Sequence, residues 1–464
     1  MKNLIRLFII ISLFFTTKSF AQNIRKDILL NSNWLSIADE KNIHANNGFE
    51  QIHYKPADWK KVNVPHNWDQ YEGYQRKLHG NKHGYAWYRK IFKSDEIKTG
   101  KRFFLYFEGV GSYATIWLNG KKVGYHAGGR TTFSIDVTSS IKLNNQDNLL
   151  AVRAEHPANI QDLPWVDGGC STERGFSEGS QPMGIFRPVH LIVTNDVRIE
   201  PFGVHIWNDD QISEKSAVLN LATTVKNYSA KPKSITIYNQ LFNAEGDIET
   251  ALPRKIIIPA GKEIVVKQKT DDIKNPKLWS IENPYLYTLK TSIIENGKEI
   301  DEIKTPYGIR WISWPIGDKA NQKVFLLNGK PVFINGIAEY EHLIGNSHAF
   351  SNEQIRSRVM QIKSAGFNSF RDAHQPHNLL YQTYWDQLGI LSWTQMAAHI
   401  WYDTPEFRKN FKSLLVDWVK ERRNSPSVVL WGLENESTLP EDFAKECTEL
   451  IRSLDPTASS QRKV

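Results

Sequence analysis

The chain has 464 residues, a formal net charge of +8, 2 Cys, and an aromatic load of 15 Trp, 17 Tyr and 22 Phe. That length predicts about three domains. A hydrophobic content of 40% with 23% charged residues excludes a disordered chain and a membrane bundle, and two cysteines exclude a disulfide scaffold or a four-Cys zinc site.

Residues 1–21 open with Lys2 and Arg6, run apolar from Leu7 to Phe15, and close on Ser19-Phe20-Ala21. The apolar core is too short to span a bilayer and the ending is small-x-small, so the segment reads as a secretory signal peptide and the protein as exported, periplasmic or secreted. The leader holds three cations, Lys2, Arg6 and Lys18, so its removal lowers the charge from +8 to +5. The remaining Lys and Arg are dispersed, which argues against nucleic acid as partner. No later segment has the apolar length of a membrane span. Cys170 and Cys447 are far apart in sequence and are expected to be unpaired.

Residues 22–195 read as an all-β unit. Phe103, Leu105 and Phe107 alternate, then Ala114, Ile116 and Leu118, ending on the hairpin signal Asn119-Gly120. Gly128-Gly129 and Asn144-Asn145 supply further turn punctuation before a strand at Leu149–Val152. Such spacing predicts a β-sandwich. Residues 196–308 form a second, smaller β unit of immunoglobulin-like length, with strands at Ala217–Val225, Ser234–Leu241, Glu263–Gln268 and Leu286–Ile293.

From Ile309 the hydrophobic period changes from two to 3.6. Pro331–Ile337 is the first predicted strand. A capping box at Ser351–Gln354 opens a helix with Ile355, Val359 and Ile362 on one face, stopped by Gly366. Strand Phe367–Arg371, a helix at Leu379–Leu388 ended by Gly389, and strand Ile390–Trp393 come next. Thr404-Pro405 starts a helix bearing Phe407, Phe411, Leu414 and Trp418, and Val428–Leu433 is a buried-strand run. The last helix places Phe443, Cys447, Leu450 and Leu454 on one face. Four consecutive β-then-α units predict a parallel α/β domain. A closed (β/α)₈ barrel needs eight strands and about 250 residues. From Ile309 the chain offers about 155. Periodicity alone leaves a small open sheet and half a barrel as alternatives.

Sites in parallel α/β domains lie at the C-terminal ends of the strands. There the sequence places Glu339, Glu341 and His342 after the first strand, Arg371, Asp372, His374 and His377 at the second, His399 beyond the third, and Asn435-Glu436 after the fourth. Glu436 at that point suits a general acid, but a Glu opening a helix also complements the helix dipole, and spacing leaves both readings open. His374, His377 and His342 lack any metal-ligand spacing, and hydrogen-bonded loop histidines account for them. There is no GxSxG, Walker loop or dinucleotide fingerprint.

The ordered motifs resemble glycoside hydrolase family 2, the β-galactosidase and β-glucuronidase family, over nearly all of the chain after the leader. They are Val64-Pro65-His66-Asn67-Trp68, Trp87-Tyr88-Arg89, Ile116–Gly120 with Val123-Gly124, His126–Gly129, Gly184–Arg187, Pro276–Tyr287, Tyr307–Arg310, Leu327–Pro331, and Arg371 with His374 and Pro376. The resemblance implies a sugar-binding-type jelly roll (22–195), an immunoglobulin-like sandwich (196–308) and the first half of a TIM barrel (309–464). It further implies a retaining β-glycosidase acting on poly- or oligosaccharide without a cofactor, with Glu436 as acid/base and Asn435, Arg371, His374, Glu341 and Asp167 as sugar-binding residues. In retaining enzymes the two carboxyl groups stand about 5 Å apart. The family's nucleophile belongs to a seventh strand, so the resemblance also implies a chain cut after the fourth β/α unit and inactive by itself. Glu434 in place of a Gly, Tyr340 in place of a His, and Ser392-Trp393-Thr394-Gln395 without an acidic pair depart from a galactosidase pocket and its magnesium site. A non-catalytic carbohydrate-binding protein is the alternative function. A scaffold complementing a separately encoded half is a third.

Overall fold

The computed structural model describes residues 24–39, 47–68, 83–158, 160–165, 183–315, 324–342, 348–398, 400 and 402–464. Residues 1–21, expected as a leader, and Asp167, Cys170 and His399 lie outside these.

The hairpin at Asn119-Gly120 organises the first domain. Both residues take left-handed backbone, with φ of 55° and 83°, which lets Tyr113–Leu118 turn straight back into Lys121–Ala127. These strands end a six-stranded antiparallel sheet, in the order Lys60–Val62, Trp34–Asp39, Gly84–Phe92, Asn148–His156, Tyr113–Leu118, Lys121–Ala127. A four-stranded sheet faces it: Lys26–Leu29, Val189–Thr194, Arg102–Phe107, Phe133–Asp136. The alternating Phe103, Leu105 and Phe107 and Ala114, Ile116 and Leu118 meet in the core between the sheets. Phe104 points outward, yet it is buried, because the second domain covers it with Arg198, whose guanidinium lies 3.4 Å from its ring centroid, and with Tyr228.

The second domain packs Val197–Trp207, Asn220–Asn227 and Glu263–Lys269 against Ile248–Ile258, Lys233–Phe242, Tyr287–Glu295 and Lys298–Tyr307. Ile248–Ile258 and Lys298–Tyr307 carry no sequence expectation. The first shows mostly exposed residues and offers little apolar alternation to find it by.

In the third domain four parallel strands lie side by side in chain order: Gly336–Tyr340, Ser369–Ala373, Leu391–Gln395 and Val428–Gly432. The expected first strand, Pro331–Ile337, is displaced. Lys330–Pro331 instead closes a short hairpin with Leu326–Leu327 over the left-handed Asn328-Gly329 turn, and pairing to the second strand begins at Gly336. Helices Asn352–Ser364, Leu379–Leu388, Pro405–Arg422 and Glu441–Leu454 cover one face. Their ends are as anticipated. The Ser351–Gln354 capping box is formed, Thr404 caps with Pro405 next in line, and Gly389 ends its helix at φ 67°. The last helix buries Phe443, Cys447 and Ile451, with Leu450 and Leu454 at the margin, so its buried stripe lies slightly around from the expected one. Cys447 is buried and unpaired. No helix among the described residues is long and apolar enough to cross a membrane.

The domains are keyed together around the sheet. Trp165 from the jelly roll donates its indole N–H to Met396 O (2.6 Å), and Trp279 from the second domain donates to Asp386 O (2.7 Å). Arg310, buried, donates to Pro426 O and Val428 O at the start of the fourth strand. The jelly roll thus grips the sheet at the C-terminal end of the third strand, and the second domain grips it at the opposite end.

Candidate active site

The second strand runs to Ala373, two residues past the expected end, so Arg371 and Asp372 sit within it and point to opposite faces. Asp372 turns outward to the helices. It is buried, accepts from Thr394 Oγ1 at 3.0 Å and lies 3.7 Å from His377 Nδ1. Burial raises its pKa, against the pull of His377 and Arg422. His377 is buried with it, so both belong to the packing beneath the site.

Arg371 turns inward. Its guanidinium lies 4.1 Å over the Trp393 ring, its Nε donates to Gln395 Oε1 (3.1 Å) and its Nη2 donates to Asn435 Oδ1 (2.6 Å). Three strands therefore contribute to one cluster, because positions of the same parity on neighbouring parallel strands share a face. Burial lowers the Arg371 pKa, with Tyr340 and Glu436 opposing. His374, just beyond the strand, bonds through Nδ1 to the same Gln395 Oε1 (3.1 Å) and packs edge-on to Tyr340, ring centroids 5.4 Å apart. Gly432 closes the floor: a Cβ there would lie 2.3 Å from Trp393 Nε1, so only glycine admits the indole.

After the fourth strand the chain turns sharply. Glu436 adopts φ 45°, a left-handed conformation that costs a non-glycine residue about 1 kcal/mol or more. Its side chain is exposed, while Glu434 is half-buried and engages Ser437 Oγ. Burial raises the Glu434 pKa, partly offset by Ser437. The turn separates the two carboxylates into different environments and leaves Glu436 beside Asn435, at the mouth of the Arg371 cluster.

Glu341 requires a correction. Far from lining an open sugar site, it is 3% exposed and fully engaged. Its Oε1 accepts from Asn378 N–H (2.6 Å), and its Oε2 from Arg187 Nη2 (3.0 Å) and Arg130 Nη1 (3.4 Å), both from the jelly roll. Burial by itself would raise its pKa. Arg187, His377, Arg130 and the Asn378 N–H outweigh that, and the carboxyl is held below its ordinary value. Glu341 clamps the first barrel strand to the first domain. Of the sugar-binding residues inferred from sequence, the structure brings Asn435, Arg371 and His374 together beside Glu436 and sets Glu341 apart. Trp393 and Gln395 join the cluster without having been assigned to it. Their signal was available in the parity of the third strand, once its register against the second was known.

Three domain models of one family match the chain in succession: the sugar binding domain of glycosyl hydrolases family 2 over residues 27–195, the family 2 domain over 197–310, and the family 2 TIM barrel domain over 319–461. The chain belongs to glycosyl hydrolase family 2. A β-galactosidase of Bacteroides ovatus is 30% identical over 408 residues, covering 85% of this chain and 45% of its own length, and a β-glucuronidase of Bacteroides fragilis is 28% identical over 458 residues, covering 93% and 60%. Among solved structures, a β-glycosidase from Bacteroides vulgatus superposes with a TM-score of 0.77 at 25% identity, over 93% of this chain and 53% of that one. A Bacteroides uniformis β-glucuronidase superposes at 0.82 and 23% identity, over 94% and 52%. The chain thus spans about half the length of the relatives it matches. Within family 2 architecture the three described layers are the jelly roll, the immunoglobulin-like sandwich and four strands of the TIM barrel.

Proposed function

We propose that this chain carries the acid/base half of a retaining β-glycosidase site. Glu436 protonates the glycosidic oxygen as the aglycone leaves, then takes a proton from the water that releases the sugar. Asn435 hydrogen-bonds the sugar next to the scissile bond, where such contacts strengthen in the transition state. Arg371 and His374 complete the wall of that subsite. The observation that carries the reading is the pairing of Asn435, fixed by Arg371, with an exposed Glu436 whose backbone is forced out of line at the end of the fourth barrel strand.

Retaining hydrolysis also needs an attacking carboxylate about 5 Å from the acid. In the matched family it belongs to the seventh barrel strand, and the described sheet has four. We therefore expect residues 1–464 by themselves to hydrolyse no glycoside. The substrate is a β-linked poly- or oligosaccharide of galactoside or glucuronide type, in line with the names of the relatives, and export through the 1–21 leader delivers the protein to it. Turnover of aryl β-glycosides by the purified chain tests the central point. No release of phenol is expected, and release that disappears in Glu436→Gln would show that a second carboxylate is already present. Cleavage of the leader is checked by the mass of the N-terminal peptide of exported protein. Sugar binding without hydrolysis that is unchanged in Glu436→Gln and Asn435→Ala would favour a non-catalytic binding protein.

A further inference from the structure

The third strand ends on a buried amide, Gln395, whose two ends face groups of fixed polarity. A guanidinium only donates, so the Gln395 atom 3.1 Å from Arg371 Nε is the carbonyl oxygen. A backbone carbonyl only accepts, so the atom 3.2 Å from Ala397 O is the amide nitrogen. The orientation is dictated by chemistry on both sides, and a flipped amide would oppose two donors on one side and two acceptors on the other.

The same oxygen stands 3.1 Å from His374 Nδ1. With two lone pairs it takes Arg371 on one and the ring on the other, and Nδ1 must therefore carry a proton. In a neutral imidazole that leaves Nε2 as the acceptor nitrogen. On its far side Arg371 accounts for Asn435 in the same way: Nη2 donates to Oδ1 at 2.6 Å, which fixes the Asn435 amide with Nδ2 as its donor.

We propose that Gln395 is a positioning residue that sets the hydrogen-bond polarity of the whole cluster: His374 in its Nδ1–H tautomer, Arg371 over the Trp393 ring, and through Arg371 the donor face of Asn435. Its being an amide matters. A carboxylate would accept from the same two donors but would bring negative charge against the ring and favour the imidazolium. Among the contacts of His374, Gln395 is neutral and Tyr340 presents its ring, while the Arg371 cation shares the same Gln395 oxygen. Gln395 thus holds His374 in place while adding no charge of its own. The consequence for catalysis rests on the glycosidase reading; the tautomer does not.

The test is a long-range ¹H–¹⁵N correlation of the His374 ring in the full chain near neutral pH, assigned by its loss in His374→Gln. The expected pattern is a neutral ring protonated on Nδ1. Gln395→Glu, nearly isosteric, is expected to convert it to the doubly protonated pattern. Gln395→Leu is expected to release it to Nε2–H while circular dichroism and the melting transition confirm an intact fold. An Nε2–H ring or an imidazolium in the parent chain overturns the proposal, as does an unchanged Nδ1–H pattern in a folded Gln395→Leu. If Gln395→Leu does not fold, the parent and Gln395→Glu spectra decide. No substrate enters the measurement, so failure here and failure of the glycosidase reading are separate results.

Discussion

Arg371 and Asn435 are joined by a 2.6 Å hydrogen bond from the second barrel strand to the turn after the fourth, and the bond decides which way the asparagine amide faces. Removing the donor frees that amide to rotate and to offer its oxygen where the proposed sugar contact needs a donor. On the proposed glycosidase reading, and in a chain completed to eight barrel strands, Arg371→Met is expected to lower kcat/KM by about 100-fold, the usual cost of a misplaced contact in a reacting site. A variant within threefold of the parent would remove Arg371 from the subsite.

Glu436 should reveal its role through the leaving group. Protonation matters most when the departing oxygen is basic. In the complete-barrel form, Glu436→Gln should lose about 10²–10⁴-fold in rate on alkyl glycosides and much less on nitrophenyl glycosides in the glycosylation step. Equal losses on both classes would point to a different role.

Gly432 is tested on the chain as it stands. A methyl group there would sit 2.3 Å from Trp393 Nε1, so Gly432→Ala must push the indole from its place under Arg371. Overpacking of this kind costs about 1–3 kcal/mol. Near-ultraviolet circular dichroism should change while the far-ultraviolet spectrum does not, and an unaltered Trp393 environment would contradict the packing described.

The Glu341 clamp makes a pH-dependent prediction. Its folded pKa lies below the ordinary value of 4.5, so it contributes stability that is present above that value and lost as pH falls through 4.5 toward the lowered folded value. Arg187→Met would leave a buried carboxylate short of a partner, at a cost of about 3–5 kcal/mol. Adding Glu341→Gln should recover much of it and flatten the acid limb of the stability profile. Urea unfolding between pH 3 and 7 checks both. An acid limb unchanged in Glu341→Gln would assign it to other carboxylates.

Much of this molecule was legible from the order of its residues, because the signals are local. Asn119-Gly120 strongly favours the left-handed hairpin turn it forms, Ser351–Gln354 caps its own helix, and Phe407, Phe411, Leu414 and Trp418 share a face by helical geometry alone. Motif order then identified the family and pointed to Asn435 and Glu436 as candidates. Register and partner choice were not legible, since they depend on residues brought together from afar. Whether Arg371 ends its strand or sits within it was settled by pairing with the first and third strands. Glu341 and Asn435 both lie just past strand ends and look alike in sequence. One is buried against two arginines from a domain more than 150 residues earlier, and the other faces the open mouth of the sheet.

Sequence by itself determined the three-domain plan and the change of hydrophobic period at the barrel, both of which rest on local periodicity and ordered motifs. Only the tertiary structure decided that Gln395 and Trp393 belong to the same cluster as Arg371, and that Glu341 serves as a clamp. The polarity of a buried hydrogen bond is set by all of its partners at once, and those partners meet only when the strands have paired.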